Sequence, residues 1–162
     1  MTVSGDTFRE LMGQFATGVT VVTVSGAEPH GMTANAVSSV SLDPPLCLVC
    51  VDHETQLYER LDGGTDHFCV NILSASQQDL GEHFAGMAQL DVSPFETHAS
   101  QTTDEGDAIF DDSLAYLACS TEAMHPAGDH DIVVGRVTDG EMLDASATPL
   151  LFFQGEWATL PD

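Results

Sequence analysis

β-strand patterns dominate this sequence and constrain its fold more than any other feature. Residues 19–24 consist only of valine and threonine, whose β-branched side chains favour strands. Five further runs have the length and composition of strands: residues 45–51, 68–73, 114–124, 132–142 and 150–160. Helical patterns are few and short by comparison. The sequence therefore predicts a mainly β fold, a closed or nearly closed β-barrel, and not the alternating strands and helices of a doubly wound sheet.

Three short helices and one long loop are predicted around these strands. The first helix has an apolar face at helical spacing, formed by Phe8, Leu11, Met12 and Phe15. A second helix is expected at residues 55–61. A third is expected from the capping box of Ser74 and Gln77 to about Phe84. Residues 86–112 are polar and acidic, so they are predicted to form a long irregular loop.

The charge of the chain is far from balanced. It has 26 acidic and 3 basic residues, a formal net charge of -23, and no lysine. Such a surface repels itself in dilute buffer, but the Debye length falls from ~10 Å at 0.1 M salt to ~3 Å at 1 M. We interpret this as adaptation to a cytosol of very high salt. The alternative, an acidic protein with a basic partner, explains the missing lysines poorly because a partner needs only one acidic face.

The same composition excludes several classes of protein. Arg9, Arg60 and Arg136 are too few cations for a nucleic-acid binder or for docking on an anionic membrane. Without lysine, neither a P-loop nor a pyridoxal-phosphate site is possible. The longest apolar run, residues 46–51, is too short to span a bilayer. The N-terminal residues have no basic region followed by an apolar stretch, so we expect no signal peptide and a cytoplasmic location.

The cysteines and histidines do not indicate a metal site. Cys47 and Cys50 form a C-x-x-C motif, but they lie in a predicted strand, where an offset of three places them on opposite faces. No second C-x-x-C is present, and the histidines lack metal-ligand spacing. We expect the cysteines to be small buried side chains in a reducing compartment.

The most informative stretch is residues 31–45, Gly-Met-Thr-Ala-Asn-Ala-Val-Ser-Ser-Val-Ser-Leu-Asp-Pro-Pro, which is extended over residues 31–41 and broken by the Asp-Pro-Pro turn. Small hydroxyl and amide side chains crowd a segment that its neighbours would bury, and buried polar groups need partners. A flat polar ligand such as a flavin ring with its ribityl chain would supply them. The alternative is a Ser/Thr-rich edge strand that bonds to water, and the spacing leaves both open.

Together with residues 15–23, this stretch closely resembles the flavin reductase-like family, whose fold is the FMN-binding split β-barrel. Further similar segments follow in the same order: residues 68–73, 82–86, 128–130, 132–135 and 149–154. The resemblance runs from about Phe8 to Leu160. We therefore expect residues 1–162 to form a single domain of this family, a split barrel with a few short helices.

The resemblance implies an NAD(P)H-dependent flavin reductase, which transfers a hydride from NADH or NADPH to FMN or FAD. It implies a homodimer with flavin near the subunit interface, and reductases of this kind often supply a separate monooxygenase. The flavin-binding residues it implies are Thr33, Ala34, Asn35, Ala36, Ser38, Ser39, Cys50, Val51, Asp52, Phe84 and Phe152. Cys50, Val51 and Asp52 would contribute backbone groups, and the two phenylalanines would pack near the ring. His130 would face the nicotinamide and position it.

One segment departs from the family pattern. The family often has a basic residue after the third strand, near the flavin phosphate, whereas residues 52–56 are Asp-His-Glu-Thr-Gln. We predict that the phosphate rests instead on the N-terminus of the helix beginning at Thr55, assisted by the Thr55 hydroxyl and His53 and opposed by Glu54. The scarcity of arginine favours NADH over NADPH without deciding it. A non-catalytic flavin carrier or interaction protein on the same fold remains the alternative.

Overall fold

The computed structural model describes residues 2–161, so Met1 and Asp162, the ends of the predicted domain, lie outside the described residues. The strands are β1 Thr17–Gly18, β2 Thr20–Val24, β3 His30–Ala34, β4 Val37–Leu42, β5 Pro45–Asp52, β6 His67–Ile72, β7 Gln101–Thr102, β8 Ala108–Ile109, β9 Ala115–Ala127, β10 His130–Met142, β11 Leu150–Phe153 and β12 Glu156–Thr159. The α-helices are α1 Gly5–Met12, α2 Gln56–Asp62, α3 Gln78–Phe84 and α4 Pro94–Thr97. The expected mainly β structure with short helices is confirmed.

The main sheet is curled into a barrel by the link between two of its strands. Seven antiparallel strands are ordered β3-β2-β6-β9-β10-β5-β4, so β3 and β4 are its two edges. Only Asn35 and Ala36 separate these edges in the chain. Three Cα steps reach at most about 11 Å, so the edges must approach each other. The Ala36 carbonyl accepts a hydrogen bond from the Cys50 N–H at 3.0 Å, which draws the end of β3 toward β5. The opening between β3 and β4 is called the split below.

The inside of the barrel is filled by alternate side chains of its strands. On β5, Cys47, Val49 and Val51 point inward and are almost completely buried. Helix α2 contributes Leu57 and Leu61 to the same cluster. The Val/Ile-rich character of these strands therefore reflects burial on the interior face.

A second hydrophobic cluster lies on the opposite face of β2. Val22 and Val24 belong to the barrel interior, whereas Val21 packs in the second cluster. Helix α3 and the small sheet β1-β11-β12 cover this cluster, whose buried members are Val19, Val21, Leu73, Leu80, Phe110 and Leu150. Because β2 is buried on both faces, it tolerates an unbroken apolar and β-branched run.

Three predicted segments differ from the structure. Residues 150–160 form a hairpin, β11 and β12, and not one strand, because the chain reverses at Gln154 and Gly155 with φ of 52° and 79°. Residues 31–41 form two strands, and residues 86–112 contain α4, β7 and β8. The long loop is ordered in part by buried Asn71, whose amide accepts from the Phe110 N–H at 2.9 Å and donates to the Ala108 carbonyl at 3.2 Å.

Helix α1 leaves its apolar face exposed. The predicted helix is present, but it ends at Met12, and none of its residues is buried. The exposed fractions of its apolar side chains and of the following Phe15 are 56% for Phe8, 60% for Leu11, 51% for Met12 and 71% for Phe15. Among the residues that the structure describes, no helix is long and apolar enough to cross a membrane.

Gly135 allows the barrel interior to close, and replacing it tests this packing. A Cβ at this position would lie 2.6 Å from Phe68 Cζ and 2.9 Å from Cys119 Cβ. We expect Gly135→Ala to lower the free energy of unfolding by about 1–3 kcal/mol because the core is overpacked. Urea unfolding in molar salt measures this change. Gly18→Ala is the matched control, since nothing lies within 4 Å of its Cβ position; equal stability of both variants would contradict the packing argument.

Candidate active site

The split exposes polar groups that the sheet does not use. β3 and β4 each have a strand partner on one side only, so alternate backbone groups of both strands lack a partner within the sheet. Asn35, Ala36, Ser38 and Ser39 are exposed along this opening. The Ser38 hydroxyl donates to the Ser39 carbonyl at 3.0 Å. The structure therefore brings the central predicted flavin-binding residues together at one edge.

The end of β5 lies beside the split. Val37 pairs with Val49, and the Ala36 carbonyl accepts from the Cys50 N–H, which places the predicted backbone groups of residues 50–52 next to β4. The Val51 side chain is fully buried in the barrel, and Ala34 is 8% exposed, so these two residues can offer a ligand little besides backbone. Cys50 is half-buried on the face opposite Cys47, which confirms the prediction that the two thiols point apart.

The start of β10 brings His130 to the same end of the sheet. His130 lies opposite Asp52 in the β10–β5 ladder. Its Nδ1 is 2.7 Å from Asp129 Oδ1, and this hydrogen bond lowers the pKa of the Asp129 carboxyl. The ring is 40% exposed, so Nε2 can face a ligand. The predicted role of His130 toward the nicotinamide stays a prediction.

A buried carboxylate lies beneath this end of the barrel. The Asp131 side chain is only 7% exposed, and its Oδ1 is 2.8 Å from His53 Nε2. The His53 ring also packs against Tyr58, with 4.6 Å between ring centroids. Burial, followed by the charges of Asp62 and Asp131, raises the pKa of Tyr58. Asp131 was not among the predicted residues, although an acid directly before the apolar run at 132–134 is a sign of a paired, buried carboxylate.

Two hydroxyl groups that were predicted to bind the flavin, those of Thr55 and Thr33, already donate their hydrogen atoms to carbonyls of the chain. Thr55 Oγ1 donates to the Asp52 carbonyl at 2.7 Å and accepts from the Tyr58 N–H at 3.2 Å, as the N-cap of α2. Thr33 Oγ1 donates to the Gly81 carbonyl at 2.6 Å. A hydroxyl has a single hydrogen, so both groups can act only as acceptors toward a ligand while these bonds persist.

Three N–H groups of the turn before α2 are hydrogen-bonded within the chain. The Glu54 N–H donates to Asp52 Oδ1 at 2.8 Å, and the Thr55 N–H donates to the Asp52 carbonyl at 3.1 Å. The His53 N–H donates to the Asp129 carbonyl at 3.0 Å. The carboxylate of Asp52 therefore takes one N–H group of this turn, and the predicted phosphate position at the start of α2 stays a prediction.

The two predicted aromatic residues lie on the α3 side of the split. Phe84 packs over Gly31 of β3, where a Cβ would be 2.8 Å from the ring. It also contacts Phe95 and Phe110, with ring centroids 5.4 and 5.6 Å away. Phe152 is half-buried and packs edge-on against Trp157 at 5.2 Å. Both phenylalanines belong to the second hydrophobic cluster, so only part of each ring is open to a ligand.

The arginines are hydrogen-bonded to acidic side chains or to a backbone carbonyl. Arg9 pairs with Asp6 at 2.9 Å, and Arg60 Nη1 donates to the Glu28 carbonyl at 2.6 Å. Arg136 forms two hydrogen bonds to Glu122, each 2.9 Å long, which raise the pKa of Arg136 and lower that of Glu122. Within residues 2–161, none of these hydrogen bonds involves a predicted flavin-binding residue, although Arg60 lies on α2, which packs against β3 and β5.

A separate cavity of about 290 Å³ opens on another side of the barrel. It is lined by Asp66, His67, Thr103, Asp104, Glu105, Asp107, Ala118, Cys119, Ser120, Thr138 and Asp139. In its wall, His67 Nδ1 is 2.9 Å from Asp107 Oδ2, and Asp107 Oδ1 accepts from the Ser25 N–H at 2.7 Å. These contacts hold the 103–107 loop on the barrel, and the cavity does not include the predicted flavin-binding residues.

Comparison with known proteins agrees with this architecture. A solved structure described as the flavin reductase PheA2 in its native state superposes with a TM-score of 0.88 and 37% identity, covering 99% of this chain and 100% of that chain. An NADH-dependent flavin reductase of a Rhodococcus species is 38% identical over 157 residues, which are 94% of this chain and 84% of that protein. The predicted split-barrel fold is confirmed.

Two further relatives extend the comparison. The reductase component of 4-hydroxyphenylacetate 3-monooxygenase of Thermus thermophilus is 38% identical over 150 residues, 92% of each chain. A probable flavin reductase of Rhizobium meliloti is 42% identical over 132 residues, but the match spans 80% of this chain and only 41% of that protein. The sequence profile of the family described as "Flavin reductase like domain" matches residues 12–161. The chain therefore belongs to the flavin reductase-like domain family.

Proposed function

We propose that this protein is an NADH-dependent flavin reductase, an oxidoreductase that transfers a hydride from NADH to a flavin at the split. The observation that carries the proposal is the open split itself, where two edge strands and the exposed side chains of Asn35, Ser38 and Ser39 present polar groups together. Membership of the flavin reductase-like domain family supports reduction of a flavin as the reaction. The relatives named as NADH-dependent reductases support the choice of hydride donor.

The groups at the split fit a flavin. The ring edge carries hydrogen-bond donors and acceptors, and the ribityl chain carries hydroxyls; edge-strand backbone and the amide of Asn35 can pair with both. Ala34 and Ala36 are small, so a ring can approach the backbone closely. When bound, a flavin supplies the hydride acceptor, while the chain binds and orients the two reactants and limits access of water.

His130 is proposed as the residue that positions the nicotinamide. Its Nδ1 is held by Asp129, which fixes the ring orientation and leaves Nε2 for the carboxamide of NADH. The 2′-phosphate of NADPH usually requires an arginine. Arg60 and Arg136 are engaged with Glu28 and Glu122, which supports NADH as the preferred donor.

A second copy of the chain is proposed to cover the apolar face of α1. The face is fixed in place because the Gln154 N–H donates to the Gly13 carbonyl at 2.9 Å, and the side chains of Gln154 and Gln14 are hydrogen-bonded at 2.9 Å. A homodimer would remove Phe8 and Leu11 from water. We further propose that the dimer works in the cytoplasm of a cell with high internal salt and supplies reduced flavin to a separate monooxygenase, as the name of the Thermus relative suggests.

Steady-state turnover in molar potassium chloride tests the proposed activity. We expect NADH oxidation that depends on both enzyme and added flavin, and faster turnover with NADH than with NADPH. Protein that binds flavin without accelerating NADH oxidation would identify it as the alternative, a flavin carrier.

Substitution of His130 tests its positioning role. His130→Ala removes one hydrogen bond of about 1–2 kcal/mol, so kcat/KM for NADH should fall roughly tenfold while flavin affinity is unchanged. Stopped-flow reduction of bound flavin across NADH concentrations measures this. His125→Ala is the control, because His125 is exposed on the same hairpin, opposite Ile132. A wild-type rate at every NADH concentration in His130→Ala would rule out the role.

The double substitution Phe8→Gln/Leu11→Gln tests the dimer. Loss of two apolar side chains per protomer should weaken association by at least about 3 kcal/mol, or roughly 100-fold in Kd. Light scattering in molar salt reports the oligomeric state. Glu10→Gln is the control, because it introduces a glutamine on the opposite face of α1 and should leave the dimer intact. A wild-type protein that is monomeric yet binds flavin tightly would contradict the proposal.

A further inference from the structure

His53 holds both chain neighbours of His130. Its backbone N–H donates to the Asp129 carbonyl at 3.0 Å. Its ring Nε2 is 2.8 Å from Oδ1 of Asp131. One residue of the turn after β5 is therefore bonded to the chain on either side of His130, through two hydrogen bonds that do not involve the His130 side chain.

The Asp131 side chain lies where the alternation of β10 favours an apolar residue. Asp131 is on the same face of the strand as Val133, which is completely buried in the barrel interior. Burying a carboxylate is costly unless a partner compensates it, and this side chain is only 7% exposed. Among residues 2–161, His53 is the only side chain hydrogen-bonded to this carboxylate. The buried acid therefore keeps the His53 ring against β10.

Helix α2 holds the His53 ring from another side. The ring centroid is 4.6 Å from that of Tyr58 on this helix. The residue before Tyr58 is Leu57, which is completely buried in the barrel interior, so the helix is anchored in the core. The backbone position of His130 is thus tied through His53 to a helix that the barrel holds in place.

The hydrogen bond of the His130 ring to its own neighbour is a weaker restraint. The Asp129 side chain, which bonds Nδ1 of His130, is 90% exposed, and the His130 side chain is 40% exposed. A pair between exposed groups contributes little because solvent screens it and both side chains can move. The direction of the His130 ring therefore depends mainly on the backbone of residues 129–131, and His53 is bonded to both ends of this segment.

We propose that His53 is a positioning residue for NADH: with Asp131 as its partner, it fixes the backbone on both sides of His130 and so orients the His130 ring toward the nicotinamide. The proposal rests on the role given to His130 above, and it assigns to His53 and Asp131 no contact with NADH or flavin. Hydride transfer requires the two reactants to be closely aligned, so a small displacement of His130 slows the reaction. The loss of His53 should therefore affect the reaction with NADH and not the binding of flavin.

A double-mutant cycle between His53 and His130, measured by turnover in molar potassium chloride, tests the proposal. His53→Ala should lower kcat/KM for NADH by about three- to tenfold and leave the Kd of the flavin unchanged. In His53→Ala/His130→Ala, kcat/KM should match that of His130→Ala within about twofold, because His53 acts only through a ring that is already absent. Losses that multiply in the double variant would overturn the proposal, as would a wild-type kcat/KM in His53→Ala.

Two further variants separate positioning from general stability. In His53→Gln the amide nitrogen can replace Nε2 as donor to Asp131, so kcat/KM should return to within about twofold of wild type. His67→Ala is the matched control, because it removes the ring from a comparable buried pair, 2.9 Å from Asp107, in the wall of the separate cavity. It should lower Tm and leave kcat/KM for NADH unchanged. An equal kinetic loss in His67→Ala would show that destabilisation alone is responsible and would overturn the proposal.

A paired variant keeps the test decisive if the uncompensated Asp131 prevents His53→Ala from folding. His53→Ala/Asp131→Ala removes both partners, so no carboxylate stays buried without a partner. The cycle with His130→Ala is then run on this background and should give the same result. Wild-type protein that does not oxidise NADH would refute the proposed function and this inference together, whereas normal turnover with multiplying losses refutes the inference alone.

Discussion

The two-residue link between β3 and β4 is the constraint on which the rest of the structure depends. Because Asn35 and Ala36 join the two edges of a seven-stranded sheet, the sheet must curl around its own apolar face. Curling creates the interior that Val49 and Phe68 fill. It also leaves β3 and β4, which meet at this link, as edge strands whose backbone groups are only partly paired within the sheet. The same connection thus produces both the hydrophobic core and the polar opening to which we assign flavin binding.

The shortage of cations determines how buried acids are stabilised. Asp107 and Asp131 are the carboxylates buried deepest near the barrel, and each pairs with a histidine, His67 or His53. In most chains lysine or arginine would also be available for such pairs. Here Arg136 lies on the surface with Glu122, at side-chain exposures of 44% and 40%, where an ion pair contributes little to stability. In this protein it is histidine that hydrogen-bonds these buried acids, with 2.9 Å between His67 Nδ1 and Asp107 Oδ2 and 2.8 Å between His53 Nε2 and Asp131 Oδ1.

Local sequence predicted the elements whose conformation local residues determine. The strand at residues 19–24 follows from β-branched side chains, the capping box of Ser74 and Gln77 is formed as expected, and the two thiols of the C-x-x-C motif point apart. The hairpin turn at Gln154 and Gly155 was missed although an X-Gly pair between two apolar runs is itself a local turn signal. The flavin-binding residues that the family resemblance implies stay predictions. The resemblance could not reveal that the Thr33 hydroxyl donates to Gly81, or that Asp52 takes one N–H group of the turn before α2, because both depend on the folded geometry.

The carboxylate of Asp52, bonded to the Glu54 N–H, bears on how long a flavin stays bound. A flavin phosphate that is bound by backbone N–H groups and an arginine would keep the cofactor bound through many turnovers. Asp52 takes part of what such an anchor needs, so the residence time of a flavin would depend more on contacts with its ring and ribityl chain. For the proposed supply of reduced flavin to a separate monooxygenase, a short residence time would be an advantage, because the reduced flavin has to leave this protein before it can be used.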